Sequence, residues 1–201
     1  MPTYSSEYIY FMGRVRLIAS KFMDDQVADE LANPSTFTPD IERIAAFRLL
    51  VHAEIEDYIE KKAKEWIKTK EALVSTSKYN VNSLLDIFPI SILLKEEMYF
   101  EIPFDINKFS TNIKYILWQA KKIIDENNGI KRDSFMKLSM FCGKGIDEID
   151  DTIAILLNDF GKARGDVAHK SSDSVKTILG PSTELNKANE IVKALGFYFY
   201  S

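Results

Sequence analysis

The chain has 201 residues, 46% hydrophobic and 28% charged, enough apolar material for the core of one large domain or of one domain with an insert. A formal charge of −4 argues against a protein that coats nucleic acid unselectively, because that affinity comes from many phosphate contacts. The single cysteine, Cys142, excludes an internal disulfide and a cysteine metal cluster, and no apolar run approaches the roughly 18 residues that span a bilayer.

The opening residues, Met1-Pro2-Thr3-Tyr4-Ser5-Ser6-Glu7, carry neither the basic nor the apolar region of a signal peptide, so a reducing, cytoplasmic setting without membrane contact is expected. Apolar residues at Ile9, Met12, Val15, Leu17, Ile18, Phe22, Val27 and Leu31 lie close to a 3.6-residue period and predict a first helix over 6–31, stopped by Asn33-Pro34-Ser35. Thr38-Pro39-Asp40 opens a second and long helix, from 39 to 69 or beyond, with Thr38 as its N-cap. Residues 73–107 read as an irregular insert with a helical turn or two, because Ser, Thr and Asn interrupt the apolar runs and Pro89 and Pro103 bar a long helix.

Helical periodicity returns over 108–126 and stops at Asn127-Asn128-Gly129. A short helix over 132–142 follows, then a main helix over 146–168 with a core stripe of Ile149, Ile153, Leu156, Leu157 and Phe160. A last helix covers 182–195, capped by Ser182 or Thr183. With no repeat and no set of alternating strands, the expected fold is all-α, a helical bundle forming a single domain over 1–201.

The end of the main helix carries Lys162-Ala-Arg164-Gly-Asp166-Val-Ala-His169-Lys170, which holds one of only two histidines in the chain. Arginine is a permanently charged planar fork that matches phosphate oxygens, and histidine titrates closest to neutrality. Together they can break a phosphodiester without a metal. Their five-residue step turns about 140° around a helix, so one copy's pair is splayed; a long arginine side chain or a second subunit is needed to make it converge. Between 108 and 144 stand eight basic residues against three acidic ones (Asp125, Glu126 and Asp133), which reads as a solvated helix face or as a basic patch beside a phosphate-handling site.

This arrangement resembles the HEPN superfamily, whose hallmark is Arg-x4-6-His near the end of a helix in an α-helical bundle; Arg164-Gly-Asp-Val-Ala-His169 fits it. The run Phe47-Arg48-Leu49-Leu50-Val51-His52-Ala53-Glu54-Ile55-Glu56-Asp57-Tyr58 looks like the Ala-x-x-Glu-x-Tyr helix of the RiboL-PSP and MAE types, through Ala53, Glu56 and Tyr58. The resemblance covers about 40–70 and 108–170, and is loose over 73–107 and both termini. It departs at Gly165, where family members carry a polar residue, often asparagine; here Asp166 follows one place later.

The resemblance implies a metal-independent endoribonuclease that works as a homodimer, with Arg164 gripping the scissile phosphate and His169 moving a proton. The 2′-OH would attack, leaving a 2′,3′-cyclic phosphate and a 5′-OH, in a toxin or anti-phage defence role beside an antitoxin or defence partner. Glu56 either orients Arg164 or is an ordinary surface charge. His52, one turn before it on the same face, is a second helper or a partly buried histidine bonded to a neighbour. Asp166 can bond His169 or stand solvated, and Lys162 and Lys170 are candidate RNA contacts. No cofactor is expected. The acids at Asp24-Asp25 and Asp147-Glu148 suit helix N-termini better than a metal, and the tail Phe197-Tyr198-Phe199-Tyr200 reads as packing rather than a base-stacking platform. The alternative is a HEPN module that binds RNA, nucleotide or a partner without cutting.

Overall fold

The computed structural model describes residues 4–76, 81–99, 101–169 and 178–200, with side chains except at 81–83 and 165–169. Among these residues it has eight α-helices and no strand, so the fold is all-α: α1 (Ser6–Phe22), α2 (Asp24–Ala32), α3 (Ile41–Ser75), α4 (Phe88–Leu94), α5 (Ile106–Asp125), α6 (Arg132–Phe141), α7 (Asp151–His169) and α8 (Pro181–Tyr198). They form two compact units. One comprises residues up to Tyr58 together with Ile130–Arg132 and Asp150–Ser201; the other comprises Ile59–Gly129 and Asp133–Ile149.

In the first unit the single helix expected over 6–31 is two. The backbone resets at Met23, whose φ of −124° leaves the helical range while its own side chain is fully buried. Asp24 and Asp25 then start α2, where carboxylates suit the positive end of the helix dipole. Arg43 fastens the joint: it donates to both Asp25 oxygens at 2.7 Å and to the Lys21 carbonyl at 3.1 Å. That bidentate hold lowers the Asp25 pKa.

The long helix α3 begins at Ile41, and its cap is Asp40 rather than Thr38. Asp40 Oδ1 accepts the Arg43 N–H at 3.0 Å, the reach that an Ncap side chain makes to N3. Its apolar stripe of Ile44, Phe47, Val51, Ile55 and Tyr58 is buried, each large side chain worth about 1.5–3 kcal/mol when taken from water. The helix α7 likewise starts at Asp151, later than expected. Asp150 Oδ1 caps it by accepting from Thr152 and Ile153 N–H at 2.8 and 3.1 Å. Residues Ile146–Glu148 form a separate 3-10 turn, with Glu148 accepting the Gly145 N–H at 2.7 Å. Of the expected core stripe, Ile153, Leu157 and Phe160 are buried, whereas Ile149 and Leu156 are half-buried.

Gly180, not Ser182 or Thr183, precedes α8, and Pro181 occupies its first turn, where a missing N–H costs nothing. The Ser182 N–H donates instead to Glu30 Oε2 at 2.9 Å, tying α8 to α2. The aromatic tail divides. Tyr198 is buried and Phe199 meets Tyr58 edge-on at 5.8 Å, while Phe197 and Tyr200 face outward.

In the second unit the described part of the insert holds two short helical pieces, and residues 77–80 and 100 of it lie outside the described residues. Val81–Ile87 is a 3-10 turn leading into α4, whose Pro89 sits in the first turn. Lys70 Nζ pairs with Asp86 at 2.6 Å and joins the end of α3 to this turn. Asp105 caps α5 by accepting from Asn107 N–H at 2.8 Å, so the helix begins two residues earlier than its apolar pattern suggests. Gly129, at φ +105°, closes the following turn as a residue without a Cβ can.

Candidate functional site

One ridge of α3 presents Arg48, His52 and Glu56 at successive four-residue steps, which places them on one side of the helix. Arg48 and His52 pack against α7. His52, 2% exposed, stacks on Phe160 with ring planes 10° apart and centroids 6.3 Å apart. Its Nε2 would lie 3.7 Å from a Cβ at Gly161, so the missing side chain there leaves ordinary contact distance between the two helices.

Burial, with a smaller contribution from the positive charge of Arg164, pushes the His52 pKa down to about 4. At neutral pH this ring is therefore uncharged. Its Nδ1 stands 3.7 Å from Glu56 Oε2, too long for a hydrogen bond and, with a neutral imidazole, not an ion pair. His52 is thus a buried neutral group beside Arg164 and is poorly suited to shuttle protons near pH 7. Glu56 is half-buried and keeps its carboxylate at this edge.

The most strongly determined feature is absent from the sequence expectations. Arg48 and Glu184 form a buried ion pair, 2% and 1% exposed, in which Arg48 Nη2 donates to Oε1 and Nε donates to Oε2 at 3.3 Å. Arg48 Nη1 also donates to the Ala163 carbonyl at 3.2 Å, and the Leu179 N–H donates to Glu184 Oε1 at 3.0 Å. One ion pair therefore holds the chain just before Arg164 and again at Leu179. The signal for it was present: Arg48 falls in phase with Ile44, Val51 and Ile55, and Glu184 with Ala188, Ile191 and Leu195. A charge in an apolar stripe requires a buried partner.

Arg164 stands one residue beyond this anchor on α7, half-buried, and no hydrogen bond or ion pair joins it to a described residue. Asp166 and His169 lie on the helical backbone of α7, but their side chains are outside the described residues, as is Lys170 altogether. Lys162 is exposed. A pocket of about 540 Å³ opens beside this turn, lined by Leu156, Phe160, Lys162, Leu179, Lys187 and the Arg48–Glu184 pair among others. Among the described residues no group of three His, Cys, Asp or Glu could hold a metal, and no helix is long and apolar enough to cross a membrane.

A sequence model of the RiboL-PSP-HEPN family matches residues 23–196. The chain belongs to that family. No curated protein and no solved structure matches it. The HEPN match extends over parts of both compact units and includes α3, α5, α6, α7 and most of α8.

Proposed function

We propose that this HEPN protein is a metal-independent endoribonuclease acting as a homodimer in a toxin or defence role, silenced or assisted by a partner protein. The observation that carries the reading is the placement of Arg164: a half-buried guanidinium in the last turns of α7 that no described residue bonds or pairs with, anchored one residue earlier and followed by His169 on the same helix. RNA brings its own nucleophile. The 2′-oxygen forms a bond to phosphorus as His169 takes its proton, and the P–O5′ bond breaks as the 5′-oxygen gains a proton, the second histidine coming from the other copy. Arg164 neutralises charge on the non-bridging oxygens, for which a planar fork is well shaped. Lys162 and Lys170 supply further phosphate contacts, and Asp166 and Glu56 are helpers. His52 keeps a neutral surface against α7.

Cleavage of total RNA in EDTA by the wild-type chain, beside Arg164→Ala and His169→Ala, tests this. Both variants are expected to lose activity by a hundredfold or more, on the scale of removing a charge-stabilising or proton-transferring group. The second reading, a module that binds RNA, nucleotide or a partner without cutting, draws on the pocket beside Lys162. It predicts no cleavage by any of the three proteins.

A further inference from the structure

The outer face of α5 carries a pattern that neither its packing nor the Arg164–His169 reading uses. Its inner side is Phe109, Ile113, Ile116, Leu117, Ala120 and Ile124, all buried. On the outer side Lys114, Trp118 and Lys121 succeed one another at steps of four and three residues, so they share one line along the helix, with Tyr115 and Lys122 beside it. Trp118 is 54% exposed and Tyr115 44%; their ring centroids are 6.0 Å apart and their planes 28° from parallel. Within its bounds α5 has four lysines and one acid, Asp125, which Lys64 already engages at 3.0 Å. Glu126, just beyond the helix, meets Lys122 only at 3.9 Å, and Glu101 meets Lys108 at 3.6 Å, which leaves Lys114 and Lys121 as the lysines with no acid paired to them among the described residues. The face is therefore basic in a chain of net charge −4. A shallow groove of about 530 Å³, lined by Asn107, Lys108, Thr111, Asn112 and Tyr115, continues it toward the start of the helix.

We propose that this face binds single-stranded RNA, with bases stacking on Trp118 and Tyr115 and phosphates meeting Lys114, Lys121, Lys122 and Lys108. Sequence-tolerant single-strand sites combine these two parts, an aromatic platform and a track of positive charge. The lysines decide against a protein partner, since protein interfaces favour tryptophan and tyrosine but are depleted in lysine. Duplex RNA hides the faces of its bases, so a stacking platform selects unpaired strand. At 1.5 Å of rise per residue, Lys108 to Lys122 spans about 21 Å, room for several nucleotides. The choice of RNA as ligand rests on the nuclease reading above, whereas the binding itself needs no cleavage.

The test uses the full chain and a short labelled 2′-O-methyl oligoribonucleotide, which lacks the free hydroxyl that the proposed cleavage requires. Fluorescence anisotropy should show binding of the single strand in preference to a hairpin. Trp118→Ala and Tyr115→Ala should each weaken it by about 5- to 100-fold. Lys114→Ala combined with Lys121→Ala should lower the slope of log affinity against log salt by about 1.4. All four side chains are exposed, so thermal melting should be unchanged. The proposal is overturned if the wild type binds no oligonucleotide or if the variants bind as tightly as the wild type. A change of sedimenting mass with oligonucleotide binding intact would also overturn it, assigning the face to a protein contact. Binding through Trp118 by a chain that cuts no RNA would sink the nuclease reading and keep this one. Cleavage with α5 variants that bind normally would do the reverse.

Discussion

His52 shows how burial decides a residue's role. With its pKa pulled from 6.5 to about 4, the unfolded chain binds a proton between those values that the folded chain refuses. Stability must therefore rise with pH across that window and fall as the pH drops from about 6.5 to about 4, by up to about 3 kcal/mol at 1.36 kcal/mol per unit. Urea unfolding at pH 4.5 and pH 7 should show this loss in the wild type and a clearly smaller one in His52→Gln; parallel losses would refute the assignment. Arg48 and Glu184 make a second residue-level case. Glu184→Gln leaves a guanidinium buried without its counter-charge and should cost about 3–5 kcal/mol. Replacing both partners, as Arg48→Met with Glu184→Leu, removes the charge together with its need and should recover most of that loss in the same assay.

At the scale of the element, two glycines behave oppositely. A Cβ at Gly161 would find its neighbours at 3.7 Å or more inside α7, so Gly161→Ala gains helix propensity without a clash and should stabilise by up to about 1 kcal/mol. A Cβ at Gly143 would overlap the Trp66 indole nitrogen, at a φ of +83° that side chains rarely adopt. Gly143→Ala should lower the melting temperature, and a scan of both variants checks the pair.

The helices were legible because apolar periodicity reports a buried stripe directly, as in α3 and α5. Their ends were less so. Caps depend on which of several neighbouring polar residues points at a free N–H: Asp40 rather than Thr38 caps α3, Asp150 caps α7, and α8 starts after Gly180 without a side-chain cap. The break at Met23 was hidden because Val27 and Leu31 continue the apolar spacing in the sequence, although Leu31 is exposed and α2 buries Gln26 instead. For the candidate site, Arg164 and His169 were visible as a motif on one helix. Arg48 and Glu184 were each visible as a charge in an apolar stripe, but their pairing was not, because they stand 136 residues apart and only the fold brings them together.

At the scale of the whole molecule, the proposed mechanism draws its second histidine from another copy, so sedimentation of the wild type should give twice the 23.0 kDa of one chain. A monomer that nevertheless cuts RNA would place the second proton carrier within the same chain. The central claim, that RNA attacks itself through its 2′-oxygen with no metal present, is tested most directly by the ends it leaves. RNA cut in EDTA should carry 2′,3′-cyclic phosphates and 5′-hydroxyls, and a strand with one 2′-deoxy residue at the cleaved position should resist cutting there. Products bearing 5′-phosphates, or cleavage of the deoxy-substituted position at the normal rate, would contradict the account.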